Sequence, residues 1–263
     1  MMPTICIPLY SRNSHHDMRH SIIGALSLLL IWWLLSVTGI VSPLLLPAPL
    51  AVGQNLTNLL FNGTINLDIQ STLYRFLIGY IGGVLTGIPI GLLMGMSRLS
   101  YQLLEFPVDF FRSLPVTSLF PLFLLCFGIG DSSKIAMVWV GVIFIIIVNS
   151  AYGVMQAPKK RLQMAKSFRA TRWQIFRDIV IWEAIPQTVV GMRIALSTAL
   201  IVVIISEMFI GTQYGIGQRL YDAYSKSLVE ELYSMILIIG SIGYLANKLF
   251  LIAEQRLLFW VGK

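Results

Sequence analysis

Six long apolar segments constrain this chain more than any other feature of its sequence. A helix that crosses a lipid bilayer needs roughly 20 mostly apolar residues. Segments of that length recur at 21–41, 71–96, 101–127, 132–155, 187–210 and 232–252. Charged residues make up only 12% of the sequence, about half of what soluble domains carry. The sequence therefore predicts an all-α polytopic membrane protein with about six transmembrane helices.

The basic residues indicate which side of the membrane each loop faces. Six helices place both termini on one side, and most of the 19 Lys and Arg residues fall on that side. They are Arg12, Arg19, Arg98, Lys159, Lys160, Arg161, Lys166, Arg169, Arg172, Arg177, Arg256 and Lys263. Because cytoplasmic loops are enriched in Lys and Arg, we predict that both termini are cytoplasmic. The net charge of +7 then reflects membrane topology, and no nucleic-acid partner is expected.

The loop from residue 42 to residue 70 lies on the opposite side and contains no Lys or Arg. It contains Pro43, Pro47 and Pro49, and proline disfavours a helix interior. We expect an extended segment that covers the outer face.

Glycine recurs at every fourth position of the second apolar segment. The residues with this spacing are Gly79, Gly83, Gly87, Gly91 and Gly95. Glycine allows two helix backbones to approach closely inside a membrane, where lipid supplies no hydrophobic drive for association. The spacing predicts close packing against a neighbouring helix, and the alternative is the general frequency of glycine in membrane helices.

The predicted cytoplasmic loop 157–186 is too long for a simple turn. Its first part, 159–168, is expected to form a short helix. A second helix is expected to begin at Thr171, because the side chain of Gln174 can complete a capping box three residues later. These two helices would be joined at Arg169 and Ala170.

Both short helices carry apolar side chains, which a cytoplasmic helix must cover. These side chains belong to Met164, Ala165 and Phe168 in the first helix and to Ile175 and Phe176 in the second. They could pack on the chain's own helix ends or on the lipid interface, or they could bind a separate cytoplasmic protein. The apolar pattern leaves both interpretations open.

The segment from Gln163 to Phe176, continued to Pro186, resembles the Glu-Ala-Ala loop of ABC importer permeases. In that family the loop forms the coupling helix that binds the ATPase subunit. The residues that match the loop are Gln163, Met164, Ala165, Phe168, Arg169, Ala170, Thr171, Ile175, Phe176 and Pro186. Residues 107–134, Gly191 to Arg193, Ser206 to Met208 and Gly215 to Gly217 are similar to the nitrate/sulfonate/taurine/bicarbonate branch, and the resemblance covers roughly residues 70–257.

The sequence departs from the family pattern in three ways. Gln163 and Met164 stand where the loop usually begins with Glu-Ala, and Trp182 replaces the usual proline. Arg169 replaces a glycine, and a positive φ at this residue would cost about 1 kcal/mol.

The resemblance implies a five-helix permease core preceded by an N-terminal helix. The tail, first helix and outer loop would occupy residues 1–70, the permease domain with its coupling loop 157–186 would occupy 71–257, and a cytoplasmic tail would follow at 258–263. The chain would be the permease subunit of an importer in the bacterial inner membrane, surrounded by lipid. Its partners would be cytoplasmic ABC ATPase subunits, a second permease copy in a homodimer, and a periplasmic or lipid-anchored solute-binding protein.

No phosphate-binding G-x-x-x-x-G-K-[ST] motif occurs in the sequence. ATP and Mg²⁺ are therefore expected in the partner ATPase, and this chain is expected to bind no cofactor or metal and to carry no catalytic residue. The substrate stays open among nitrate, bicarbonate, a sulfonate such as taurine, and a neutral vitamin precursor. Alternatives from other classes are a stand-alone channel, a secondary transporter and a membrane enzyme.

Polar residues inside the apolar segments are candidates for the translocation pathway, because such residues usually face a bundle interior or a cavity. They are Arg112, Ser113, Thr117, Ser118, Asn149, Ser206 and Glu207. Arg112 could instead form a neutral pair with Asp109, three residues earlier on the same helical face.

Overall fold

The computed structural model describes residues 14–42 and 44–259, without the side chains of residues 14–22, 25 and 159. Cys6, Arg12 and Lys263 lie outside the described residues. Cys126 is a free, exposed thiol. The described part is all-helical, which confirms the predicted fold class.

Eleven α-helices make up the described part of the chain. They are α1 (Ser14–Val37), α2 (Pro49–Phe61), α3 (Asn66–Met96), α4 (Arg98–Ser113), α5 (Phe120–Phe127), α6 (Asp131–Met155), α7 (Lys159–Ser167), α8 (Arg172–Ile175), α9 (Ile181–Ile210), α10 (Ile216–Ser225) and α11 (Val229–Leu257). A 3₁₀ turn at Val116–Leu119 precedes α5, and a π-helical turn at Phe176–Val180 joins α8 to α9.

Within the described residues, four helical stretches are long and apolar enough to cross a membrane: α3, α6, the continuous stretch Arg172–Ile210, and α11. The segment predicted as one span at 101–127 is bent by 85° between α4 and Val116–Phe127, and it adds a fifth span if the bent pair is counted as one. The apolar part of α1 in the described residues, Leu26–Val37, is shorter. The count of six spans therefore stays a prediction.

The core lies between three of these helices. Helix α6 packs against α3 on one side and α9 on the other. Its side chains Val138, Val142 and Ile146 are buried in the main apolar cluster together with Val203 of α9 and Phe76 of α3. The position of α6 makes it the central helix of the fold.

The predicted extended conformation of the outer loop is wrong, because residues 49–61 form α2. Pro49 occupies the beginning of this helix, where a residue without an N–H loses no helical hydrogen bond and a fixed φ favours helix entry. The Val52 carbonyl of α2 accepts a 3.3 Å hydrogen bond from Ser234 of α11. Proline at this position therefore starts a helix that packs on the core.

Helix α1 is joined to the same region through one aromatic contact. Trp32 stacks on Tyr233 with ring centroids 5.9 Å apart, and its indole N–H donates to the Pro47 carbonyl over 3.1 Å. The Tyr233 hydroxyl donates to the Leu45 carbonyl over 3.0 Å. These bonds attach α1 and the segment before α2 to the start of α11.

Candidate functional site

The end of α7 forms a left-handed turn at Arg169, whose φ is +56°. The Arg169 N–H donates to the Lys166 carbonyl over 2.9 Å, and the Ala170 N–H donates to the Ala165 carbonyl over 3.0 Å. This pair of bonds is a Schellman motif, in which glycine is the preferred residue at the left-handed position. Arg169 therefore occupies the strained conformation that a glycine would adopt without a steric penalty.

Helix α8 begins with the predicted capping box. The Gln174 N–H donates to the Thr171 hydroxyl over 3.3 Å, and the Thr171 N–H donates to the Gln174 side-chain oxygen over 2.8 Å. After α8 the helix continues through the π turn into α9 without a break. The loop is thus attached directly to a membrane-crossing helix.

The apolar residues of the loop divide into two groups. The side chains of Met164 and Phe168 are 61% and 83% exposed, and Trp173 is exposed as well. Those of Ala165, Ile175 and Phe176 are half-buried, and Ala170 is half-buried between α7 and α8. We define Met164, Phe168 and Trp173 as the exposed apolar surface of the loop.

The base of the loop is anchored to α6 and α9. Arg161 of α7 forms an ion pair with Glu183 of α9. A Cβ atom on Gly153 of α6 would lie 2.7 Å from the Ala184 carbonyl oxygen, so the two helix backbones are in direct contact there. Pro186, half-buried, follows within α9.

The five regularly spaced glycines of α3 all face α6. A Cβ atom on Gly79, Gly83 or Gly87 would lie 2.6, 2.5 or 2.8 Å from a side-chain atom of Val138, Val142 or Ile146, respectively. On Gly91 it would lie 2.5 Å from the Ile147 carbonyl oxygen, and on Gly95 it would lie 2.6 Å from the Val154 Cβ. Real Cβ atoms essentially never approach so closely, so each of these positions requires glycine in this packing.

Arg112, Ser113 and Asn149 line one open groove between α4 and α6, with a volume of about 370 Å³. The Arg112 guanidinium lies 2.9 Å from the Asp109 carboxylate, the intrahelical pair that the sequence spacing allowed. Asn149 donates to the Ile145 carbonyl over 2.8 Å and accepts from Gln187 of α9 over 3.0 Å. The structure thus brings three of the predicted pathway residues to one groove.

The remaining predicted pathway residues lie elsewhere. Thr117 is half-buried, and the exposed Ser118 donates to the Pro115 carbonyl over 2.7 Å within the 3₁₀ turn. Ser206 and Glu207 are completely buried in α9, and Ser206 donates to the Val203 carbonyl over 2.8 Å. A pathway role for these residues stays a prediction.

Glu207 is the centre of a buried polar network. Its carboxylate accepts hydrogen bonds from Arg75 of α3 over 2.5 Å, from the Gly217 N–H of α10 over 2.9 Å and from the Thr72 hydroxyl over 2.9 Å. The Arg75 guanidinium also binds Asp131 at the start of α6 over 2.7 Å. The network therefore connects α3, α6, α9 and α10, and it satisfies a charge that would be costly if it were unpaired.

A second ion-pair group adjoins this network, and its arginine lies on α10, outside the membrane-crossing helices. Arg219 of α10 lies 3.0 Å from Asp68 and 2.8 Å from Glu231. Burial alone would lower the pKa of the Arg219 guanidinium, but its bonds to Glu231 and Asp68 more than offset that effect and the pKa is raised. This group joins the beginnings of α3 and α11 through α10.

The coupling-type loop and the groove lie in a part of the chain that matches a known protein family. The family described as "Binding-protein-dependent transport system inner membrane component" matches residues 87–261, which is more than half of the chain. The chain belongs to this permease family. The match includes α4, the loop between α6 and α9, and the residues of the groove.

Two relatives and one solved structure agree with this assignment. The permease is 32% identical over 229 residues to a probable ABC transporter permease protein of Brucella melitensis, covering 87% of this chain and 92% of that protein. It is 27% identical over 247 residues to the taurine transport system permease protein TauC of Escherichia coli, covering 92% and 90% of the two chains. Its fold is similar to that of the inward-facing MetNI methionine ABC transporter, with a TM-score of 0.63, 21% identity, and coverage of 74% of this chain and 95% of that chain.

The prediction that the chain is the membrane-embedded permease of an ABC transport system is confirmed. The sequence interpretation missed the partners of Glu207, among which Thr72 was not singled out. Arg75 carried a signal, because an arginine inside an apolar segment requires a partner. Within the described residues, no group of three or more His, Cys, Asp and Glu side chains could hold a metal ion.

Proposed function

We propose that this permease forms the translocation route for a small organic sulfonate such as taurine, as one of two identical subunits in a bacterial inner membrane. A solute-binding protein delivers the substrate to the outer face. ABC ATPase subunits, which hold ATP and Mg²⁺, bind the cytoplasmic side, where both termini also lie. The similarity to a taurine transport permease over most of both chains supports the substrate class.

The exposed apolar surface of the α7–α8 loop is the observation that carries this proposal. Met164, Phe168 and Trp173 present large apolar side chains on the loop between α6 and α9, and such a patch marks an interaction site. The Schellman motif and the capping box hold the backbone beneath it in one conformation. A preformed apolar surface of this kind fits a groove on a cytoplasmic ATPase.

The continuity of the helix after the loop explains how ATPase movement reaches the membrane. The helical stretch Arg172–Ile210 contains 39 residues, which corresponds to about 58 Å at 1.5 Å per residue. Its far end carries Glu207, bonded to α3 and α10. A displacement of the loop by the ATPase would therefore be transmitted along one helix to the outer end of the bundle.

The charged face of α4 supports the proposal of a second permease copy. Glu105, Asp109 and Arg112 are exposed on this helix, and ionisable side chains at membrane depth face cavities or protein rather than lipid. Two copies that face each other across this surface would enclose the route that a single chain leaves open.

The experiment is to co-express the permease with the ATPase and solute-binding protein of the same transport system, purify the complex and reconstitute it in liposomes. Its mass should correspond to two permeases and two ATPases, and labelled taurine should accumulate only with ATP and the binding protein. Purification without an ATPase, or with a single permease copy, would contradict the assembly. Failure to accumulate taurine while another solute accumulates would contradict the substrate class.

A further inference from the structure

The polar face of α4 continues from the inner end of the bundle toward its middle. Tyr101, Glu105, Asp109 and Arg112 follow one another at helical spacing and line one cavity of about 150 Å³, together with Tyr152 and other residues of α3 and α6. Asp109 is the carboxylate of this face that pairs with the arginine.

Arg112 connects this inner cavity with the larger groove above it. Its side chain lines both spaces, and so does Val148 of α6. Val148 lies seven residues before the end of α6 at Met155, or about 10 Å along the helix axis. Arg112 is thus placed at the junction of two adjoining spaces, about two helical turns from the end of α6.

The guanidinium of Arg112 is the only cationic group among the described residues that line either space. It is half-exposed, and its ion pair with Asp109 is likewise half-exposed. The neighbouring polar groups are engaged, since the Ser113 hydroxyl donates to the Asp109 carbonyl over 2.7 Å and both ends of the Asn149 amide are bonded within the bundle. An anion in the groove would find one available donor group, which is Arg112.

We propose that Arg112 is the anion contact of the translocation route and that Asp109 competes with the substrate for it. This inference rests on the proposed function, in which the substrate carries a sulfonate. The planar guanidinium can bind two oxygens of such a group at once, as it does with carboxylates and phosphates. The substrate takes the place of the Asp109 carboxylate on Arg112 and is displaced by it again.

Competition between Asp109 and the substrate for Arg112 would keep substrate binding weak enough for release. A site along a transport route must bind its solute well enough for entry and weakly enough for release. An unpaired arginine at this position would bind an anion tightly. When the arginine already pairs with a carboxylate, the free energy of anion binding is only the difference between the energies of two similar ion pairs. Asp109 therefore lowers the residence time of the substrate and speeds transport.

The test uses the complete complex of permeases and ATPases in liposomes with saturating ATP and the solute-binding protein, and it measures KM and kcat for labelled taurine. Arg112→Gln should raise the KM by about tenfold or more, because it removes a charge-assisted hydrogen bond to the anion. Arg112→Lys should give an intermediate KM, since it keeps the charge but loses the paired geometry. Asp109→Asn should change both constants downward, with a lower KM from tighter binding and a lower kcat from slower release.

Lys248→Gln is the matched control, because Lys248 is an exposed basic residue of α11 that lines neither space. It should leave both constants unchanged. A KM of Arg112→Gln within about twofold of the wild type would overturn the inference. Shifts of the KM in the same direction in Arg112→Gln and Asp109→Asn would also overturn it. If the pair were merely structural, removal of either partner would change the KM in the same direction.

The wild-type complex separates this inference from the proposed substrate. If it carries taurine, the sulfonate proposal holds whatever the variants do. If it carries nitrate instead, the substrate class is wrong and the same comparison is made with nitrate. If it carries only a neutral solute, the role of Arg112 as an anion contact is wrong.

Discussion

Arg75 and Glu207 form an ion pair in the interior of the helix bundle, with the Arg75 Nη1 2.5 Å from the Glu207 Oε1. Their side chains are 4% and 0% exposed, and the two residues lie 132 positions apart in the sequence. Removal of Arg75 would leave the buried Glu207 carboxylate without an ion-pair partner. Removal of Glu207 would leave the buried Arg75 guanidinium with Asp131 as its remaining carboxylate partner. Breaking the pair is therefore expected to destabilise the protein strongly.

Glu207→Ala is expected to destabilise the permease by about 3–5 kcal/mol, the cost of breaking a buried ion pair. Glu207→Gln should be less harmful, because it keeps the size of the side chain and its amide oxygen can still accept from one of two donors, either Arg75 or the Gly217 N–H, which bind different oxygens of the carboxylate. Thermal unfolding of the detergent-solubilised complex measures the difference. Asp178→Ala, which removes an exposed carboxylate, should leave the midpoint unchanged, and an equal midpoint for Glu207→Ala and the wild type would show that the pair contributes nothing.

The glycine contact predicts a strong effect of a single methyl group. Gly87→Ala would place a Cβ atom 2.8 Å from the Ile146 Cβ and 3.0 Å from the Ile143 carbonyl oxygen. Because the α6 backbone would have to move, the yield and thermal midpoint of the purified complex should fall. Gly240→Ala is the control, since nothing lies within 4 Å of its added Cβ. Equal behaviour of the two variants would argue against close packing of α3 on α6.

The proposed ATPase contact is tested best at Phe168. Its side chain is exposed in the isolated permease, so Phe168→Asp should leave the fold and membrane insertion intact. If Phe168 seats in an ATPase groove, the substitution puts an unpaired charge into a desolvated contact and should cost several kcal/mol of binding. Co-purification measures the loss of the ATPase. Retention of a full complement of ATPase, together with ATP-driven import, would exclude this surface as the coupling element.

Arg169→Gly, unlike Phe168→Asp, should stabilise the loop and leave ATPase binding intact. The positive φ of Arg169 is relieved by glycine, which should stabilise the turn by about 1 kcal/mol and preserve ATPase binding. Amide hydrogen exchange at Ala170, whose N–H closes the Schellman motif, reports the local effect. Faster exchange in the variant would mean that the arginine side chain contributes more to the turn than its backbone strain removes.

Local features of this protein were predictable from the sequence because neighbouring residues determine them. The apolar segments predict membrane-crossing helices through their length, and Thr171 with Gln174 predicts a helix start through hydrogen bonds between residues three apart. The family motif at 163–176 identified the permease. The misread outer loop also concerns local structure, since Pro49 was taken as a helix breaker although proline favours the first helical turn.

Long-range contacts were decided only by the tertiary structure. The glycine spacing by itself predicted a close contact, but not that α6 supplies it through Val138, Val142 and Ile146. Similarly, nothing near Glu207 in the sequence indicates that Arg75 and Thr72 would bind its carboxylate. Helical periodicity specifies which face of a helix is special, while the identity of the facing partner depends on how all the helices pack together. That is why the sequence by itself determined the membrane helices and the family of this permease, and only the tertiary structure decided which side chains meet in the buried network and in the groove beside Arg112.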